Sequence, residues 1–212
     1  MFITIEGPDG SGKTTQVPLL AEAIRQAGYD LVVTREPGGT EIGDQVRQVI
    51  MDLKNKQMFP ATEILLFQSS RAQLVRELIL PSLKAGKVVL CDRYADSTLA
   101  YQGYGHQTDL ATLRQIIDFA TGGLKPDLTL YLDIDVEAGL RRRSEGDDKW
   151  DRMDDYDLAF HQRVREGYHE MIAAEPERWV AIDGGRSVEK VQEDLQRVVL
   201  ERLGAKKGGI VH

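Results

Sequence analysis

The chain has 212 residues, of which 42% are hydrophobic and 29% charged, with a formal net charge of -7. At that length one domain spanning residues 1–212 is the expectation, and the acidic balance argues against a protein that grips DNA or RNA along its backbone. The lone cysteine, Cys91, excludes an intrachain disulfide and, inside the apolar run VVLC, reads as a buried structural thiol in a reducing compartment.

Taken in chain order, short apolar runs alternate with longer segments of helical spacing. MFITIE opens the chain as a strand, and residues 14–27 follow as a helix. YDLVVTRE reads as a second strand, followed by helices over 40–53 and 61–85, the latter ended or kinked by Pro81. KVVLCDRY is a third strand, with a helix over 110–120 after it. DLTLYLDID is a fourth, leading into a helix over 136–143. A helix over 156–174, the strand RWVAID and a helix over 188–203 complete the pattern, and the tail over 204–212 is expected to fray. The strands are rich in Val, Ile, Leu and Tyr, as strands buried on both faces are. Strand–helix alternation predicts an α/β fold with a central five-stranded parallel sheet between two helical layers. No apolar run reaches the ~18 residues of a membrane span. The first motif begins at residue 7, which leaves no room for a signal peptide, so a cytoplasmic location is expected.

Residues 7–14, GPDGSGKT, fit G-x-x-x-x-G-K-[ST] between a predicted strand and a predicted helix. Glycines let the backbone turn so that its N–H groups converge on an anion, and the helix adds its free N–H groups and positive dipole end. Gly7, Pro8, Asp9, Gly10, Ser11, Gly12, Lys13, Thr14 and Thr15 are therefore expected to hold the phosphates of ATP. Lys13 would supply a point charge, and Thr14 a hydroxyl for Mg²⁺. The guanine signature N-K-x-D is absent, since the one Asn-Lys pair, Asn55-Lys56, continues as Gln57-Met58. Asp92 ends a strand and is the expected second Mg²⁺ carboxylate. Asp133 and Asp135 end a similar strand and compete for that role, and a plain strand-end salt bridge is the alternative.

Residues 141–155, RRRSEGDDKWDRMDD, carry both charges densely with no apolar period. A solvated loop and a mobile lid are the two readings. A lid suits small-molecule phosphoryl transfer, where closure excludes water. The histidines, His106, His161, His169 and His212, have no metal-ligand spacing.

The runs GPDGSGKTT, TREPGGTEIG, FQSSRAQ, DRYADSTLAYQGYG, LKPDLTLYLDI and DRMD together resemble the bacterial thymidylate kinase family, a branch of the P-loop nucleoside monophosphate kinases. The resemblance implies a three-layer P-loop fold with a lid, a homodimer, and transfer of the γ-phosphate of ATP to dTMP with Mg²⁺ in dTTP synthesis. It implies that Phe67 stacks on thymine, that Arg71 hydrogen-bonds the base, and that Thr98 and Gln102 read its polar edges. Tyr101 would lie where a ribose 2′-hydroxyl would go. Arg93 would hold the acceptor phosphate with Arg47 as helper, Asp9 would lie near sugar and phosphates, and Ser97 would share the substrate site. Glu36-Pro37 resembles a family turn with a cis peptide. Some members carry an arginine inside the P-loop at the position of Gly10, and in the bacterial type the lid supplies it instead. Arg141, Arg142, Arg143, Lys149 and Arg152 are candidates, with Arg152 in DRMD the best match and a catalytic role expected for it. The turn DGGRS, with Arg186, is a candidate wall for adenine. Two rivals stay open from the residues themselves: a kinase for another monophosphate, and a nucleotide-binding module that transfers nothing.

Overall fold

A computed structural model of the chain describes residues 1–146 and 151–208. Five strands form one sheet: β1 (Phe2–Glu6), β2 (Leu31–Arg35), β3 (Val88–Asp92), β4 (Leu128–Asp133) and β5 (Trp179–Asp183). Their order is β2-β3-β1-β4-β5 and every pairing is parallel. The chain leaves β1 at the point where the order switches sides, so the C-terminal ends of β3 and β4 flank the loop after β1. Ligands of open α/β sheets bind at such a crevice.

The pleat sends alternate side chains to opposite faces. Ile3 and Ile5 of β1, with Leu90, Leu128, Leu130 and Leu132, pack against α1 (Lys13–Gln26). Phe2, Val89 and Cys91 face the other way, against Leu74, Val75 and Ile79. The Cys91 thiol is buried and its Sγ lies 3.0 Å from the Arg93 carbonyl oxygen. The remaining helices are α2 (Glu41–Met51), α3 (Pro60–Leu74), α4 (Leu80–Lys84), α5 (Ala95–Thr98), α6 (Leu110–Thr121), α7 (Val136–Glu145), α8 (Leu158–Ala174) and α9 (Val188–Gly208). α1 and α9 cover one face of the sheet, while α3 and α8 lie on the other. Side chains cap several starts: Thr40 accepts from Gly43 N, Asp109 from Thr112 N and Asp157 from Phe160 N.

The structure departs from expectation in four places. Pro81 does not end its helix. A π turn over Val75–Ile79 comes first, with Leu80 N bonded to Val75 O, and the proline lands in the first turn of α4, where its missing N–H costs little. Residues 95–105, expected as no regular element, form α5 and a seven-residue π segment, Leu99–Gly105. Gly105 allows α8 to close on that segment, since a Cβ there would sit 2.6 Å from the Phe160 ring. The charged run is partly ordered: α7 extends to Glu145, and a short 3-10 turn, Arg152–Asp155, begins with a capping box between Asp151 and Asp154. The tail expected to fray is helical through Gly208, and residues 209–212 lie outside the described residues. Among the described residues no helix is long and apolar enough to cross a membrane.

α5 is tied to the sheet by one ion pair. Arg178 donates from Nη1 and Nη2 to both oxygens of Asp96 at 2.7 and 3.0 Å and also reaches Thr129 Oγ1 at 2.8 Å. Both partners are nearly buried, and removing one strands the other charge. Arg178→Met is expected to lower unfolding free energy by about 3 kcal/mol, read from urea titration, whereas a change within ~0.5 kcal/mol, as at ordinary surface sites, would mean the pair does not anchor α5.

Candidate active site

The loop after β1 leads directly into α1, whose N-cap, Gly12, is left-handed at φ 97°. No side chain caps this helix, so its first N–H groups are left for an anion. Gly10 (φ 74°) has no room for a side chain: a Cβ would lie 1.9 Å from the Gly139 carbonyl oxygen of α7. An arginine at that position would collide with the backbone of α7.

Two cations converge on the loop. Lys13 Nζ donates to the Gly7 and Pro8 carbonyl oxygens, each at 2.9 Å. Arg93, directly after β3 and left-handed at φ 66°, donates from Nη1 to the same Gly7 oxygen at 3.0 Å. Its Nη2 donates to Asp9 Oδ1 at 2.7 Å and to the Tyr101 hydroxyl at 3.1 Å. The Tyr101 hydroxyl donates to Asp9 Oδ2 at 2.8 Å. Burial pushes Asp9 upward, but Arg93 and Lys13 outweigh it and hold the carboxyl at about 2. Burial and the nearby Arg93 bring Lys13 down to about 8, against the pull of Asp9, Asp92 and Glu6.

Beneath the loop lies Glu6, the last residue of β1, which the sequence reading passed over as part of a strand. It is fully buried and accepts from Tyr94 N at 2.7 Å, Ser97 Oγ at 2.6 Å and Tyr168 OH at 2.8 Å. Burial, with Asp96 adding to it, pushes Glu6 up to about 7 despite the lowering effect of Arg93. Only its place at the end of a strand, ahead of a phosphate loop, could have flagged it.

A cavity of about 850 Å³ opens over the loop, toward the upper end for small-molecule sites. One side is lined by Lys13, Thr14, Arg142, Arg186 and Ser187, the other by Arg47, Phe67, Arg71, Thr98 and Gln102, with Asp9, Asp92, Arg93, Ser97 and Tyr101 between them. Glu36 and Pro37 also line it, and their peptide bond is cis. Arg47 donates to the Pro37 carbonyl at 2.9 Å. Arg71 is 1% exposed. It donates to Glu36, Gln68, Thr98 and the Tyr94 carbonyl, so a base carbonyl could join only by sharing one of these bonds.

Among the strand-end acids, Asp92 lines the cavity and its Oδ1 is buried without a partner. Asp133 faces away, bound by Arg165 at 2.8 and 3.1 Å and by His169 at 3.2 Å, and Asp135 caps α7. The orphaned Asp92 oxygen, with Thr14 in the same cavity lining, fits a divalent cation that takes one or two protein oxygens and completes its shell with phosphates and water. Among the described residues no cluster of three or more His, Cys, Asp or Glu is placed to hold a metal alone.

The arginines of the charged run have different surroundings. Arg152 does not line the cavity. It is 5% exposed, paired with Glu63 at 2.5 Å, and donates from Nε to the Ile50 carbonyl at 2.8 Å. Here its charge is spent on a buried carboxylate, away from the cavity. Arg142 and Arg143 do line the cavity. Arg142 donates to the Gly184 and Gly185 carbonyls at 2.8 and 3.2 Å, and Arg143 pairs with Asp154 at 2.9 and 3.0 Å. Arg186 pairs with Asp194 at the edge of the turn after β5. Lys149 lies outside the described residues.

Comparison with known proteins agrees with this geometry. The thymidylate kinase family model matches residues 5–195. A thymidylate kinase of Roseiflexus sp. (strain RS-1) is 50% identical over 210 residues, covering 94% of this chain and 93% of its own. One from Deinococcus radiodurans is 48% identical over 202 residues, covering 95% and 97%. The crystal structure of thymidylate kinase from Ehrlichia chaffeensis superposes with a TM-score of 0.77 at 35% identity, covering 94% of this chain and 98% of that one. The chain belongs to the thymidylate kinase family.

Proposed function

We infer that the chain transfers the γ-phosphate of ATP to the 5′-phosphate of dTMP, giving dTDP and ADP. The observation that carries this reading is one cavity with a phosphate loop at one end and an aromatic–polar pocket at the other, with Arg93 between them. Phosphoryl transfer is largely positioning and charge stabilisation. The acceptor phosphate is already anionic, with a second pKa of about 6 by analogy with phosphoamino acids, so a strong base is unnecessary. What the site must supply is positive charge between two anions.

Lys13, the loop amides and the start of α1 are assigned the ATP phosphates. Arg93 is assigned the acceptor phosphate, with Arg47 helping, and Asp9 holds Arg93 and Tyr101 in place. Phe67 is assigned the thymine face, and Thr98 and Gln102 its edge. Arg71 is assigned the same end, acting through Thr98 and Gln68. Arg142 and Arg143 replace Arg152 as the lid cations nearest the transferred group, and Arg186 is assigned the adenine end. Thr14 and Asp92 would hold Mg²⁺, which when bound offsets charge on the donor phosphates. A homodimer is supported by exposed apolar side chains on neighbouring helices: Ile42 and Val49 of α2, Leu65 of α3 and Phe119 of α6. The nucleotide substrates and the lone buried thiol support a cytoplasmic location.

A coupled assay across dTMP, dUMP, CMP, GMP and AMP tests the reading, and preference for AMP or GMP would reject it. In the same assay Lys13→Ala is expected to cost at least about 10²–10³ in turnover while circular dichroism stays unchanged, and near-normal turnover would remove Lys13 from its role. Tyr101→Phe is expected to leave discrimination against the ribose counterpart of dTMP nearly intact and Tyr101→Ala to relax it. Unchanged discrimination in the alanine variant would refute a steric role.

Glu6 generates a pH prediction. Its folded value of about 7 lies above the ordinary 4.5, so the folded state holds the proton more tightly. That contribution to stability is fully present below about 4.5 and is lost as pH rises through about 7. Glu6→Gln should flatten the decline in stability between those values, measured by urea titration at stepped pH. A variant whose curve runs parallel to the parent's would show that Glu6 does not titrate there.

A further inference from the structure

Glu63, in the first turn of α3, is 1% exposed and is no part of the cavity lining, yet it is the node of a buried polar cluster. Its Oε1 accepts from Gln102 Nε2 at 2.7 Å, and its Oε2 accepts from Tyr156 OH at 3.1 Å and pairs with Arg152 at 2.5 Å. His106 Nε2 lies 3.4 Å from Oε1. Burial works to raise Glu63, but His106, Arg152 and Gln102 outweigh it and hold the carboxyl at about 2. It is therefore an acceptor and nothing else across the working pH range.

An acceptor-only neighbour decides how an amide must sit. Were Gln102 turned over, its oxygen would face a carboxylate oxygen at hydrogen-bond distance, and the two acceptors would repel. The Gln102 NH₂ is thus committed to Glu63, and among the described residues no donor is bonded to its Oε1. Gln102 lines the cavity, so the end it presents there is an acceptor. Thr98, four residues earlier, is held in the opposite sense. Its Oγ1 already accepts from Gln68 Nε2 at 3.1 Å and Arg71 Nη1 at 2.9 Å, which leaves its hydroxyl proton as the group to donate. The pair offers one donor beside one acceptor. A thymine edge, with a carbonyl oxygen beside N3–H, complements that order, and a cytosine edge, with an amino group beside a bare N3, reverses it.

We infer that Glu63 is a positioning and specificity-determining residue: by locking Gln102 acceptor-outward it sets the polarity that admits thymine and rejects cytosine. The inference rests on the dTMP reading and deepens it. It also explains why a carboxylate that never touches substrate is buried at the cost of desolvation.

The test compares kcat/KM for dTMP and dCMP in the full-length enzyme and in Glu63→Gln and Tyr156→Phe. A neutral amide at position 63 can donate as well as accept, so Gln102 is free to turn over. Glu63→Gln is expected to shrink the dTMP:dCMP ratio about 10-fold, the scale of one mispaired buried group, mainly through KM. Tyr156→Phe removes only the hydroxyl donor on the far oxygen and leaves the carboxylate paired with Arg152, so its ratio should match the parent's. A ratio unchanged in Glu63→Gln, or reduced equally in both variants, overturns the inference. Should Glu63→Gln fail to fold, the parent protein still answers. Nitrogen-15 spectra of its glutamine side chains should show the Gln102 NH₂ protected from exchange both free and with dTMP bound, and its release on binding would be fatal to the idea. A parent enzyme that does not turn over dTMP at all would sink the functional reading itself, which is a different result from turnover with an unmoved ratio.

Discussion

A carboxylate inside the phosphate loop, held against a guanidinium from the neighbouring strand, is the contact on which the site depends. Asp9 and Arg93 meet at 2.7 Å because β1 and β3 run side by side in parallel, Ile5 opposite Asp92, so both strands release their chains at the same level. The pair does more than neutralise itself. Arg93 also donates to the Gly7 carbonyl that Lys13 uses, so two cations are drawn to one oxygen. Like charges held so close carry a cost unless anions join them, and Lys13 is depressed by burial first and by Arg93 second. An anionic ligand relieves it, which makes the loop ready for phosphate before any phosphate arrives.

The acceptor end is organised by the same rule. Buried ions of fixed hydrogen-bonding sense determine how neutral polar groups face the cavity. Arg71 can only donate and Glu63 can only accept, and between them Gln68, Thr98 and Gln102 have little freedom left. Below the loop, Glu6 gathers Tyr94 N, Ser97 and Tyr168, so the floor of the donor site and the start of the acceptor segment share one carboxylate. The two substrate ends are therefore not independent pockets. Each hangs on buried charge, Glu6 at the end of β1 for one and Arg71 and Glu63 on α3 for the other.

Much of this was legible in the sequence, for identifiable reasons. The five strands announce themselves because parallel strands are apolar on both faces. GPDGSGKT is legible because its function is carried by backbone and spacing, which a sequence displays directly. Asp92 could be named but not separated from Asp133, because only the tertiary structure gives Asp133 to Arg165. The pairing of Arg152 with Glu63 was hidden because a motif records which residue stands at a position and not where its charge is spent. Glu6 and Glu63 were invisible for the complementary reason: a buried carboxylate has no sequence signature, since the partners that make it tolerable lie 39 to 162 residues away, from Gln102 for Glu63 to Tyr168 for Glu6. The π segment that carries Tyr101 and Gln102 escaped because its wide turn does not match the 3.6-residue template.

The lid follows from the same competition for charge. Arg142 and Arg143 are neighbours on α7, yet one rests on carbonyls and the other on a carboxylate. A hydrogen bond from a guanidinium to a neutral carbonyl is weaker than one to an ionised acid. Arg142 is therefore the easier of the two to draw toward a developing negative charge, and its release would free the turn at Gly184 and Gly185 that borders the cavity. Arg143 is raised chiefly by its bond to Asp154, so it moves only with the short turn that carries that acid. The first arginine is thus tied to the turn after β5 and the second to the short turn Arg152–Asp155.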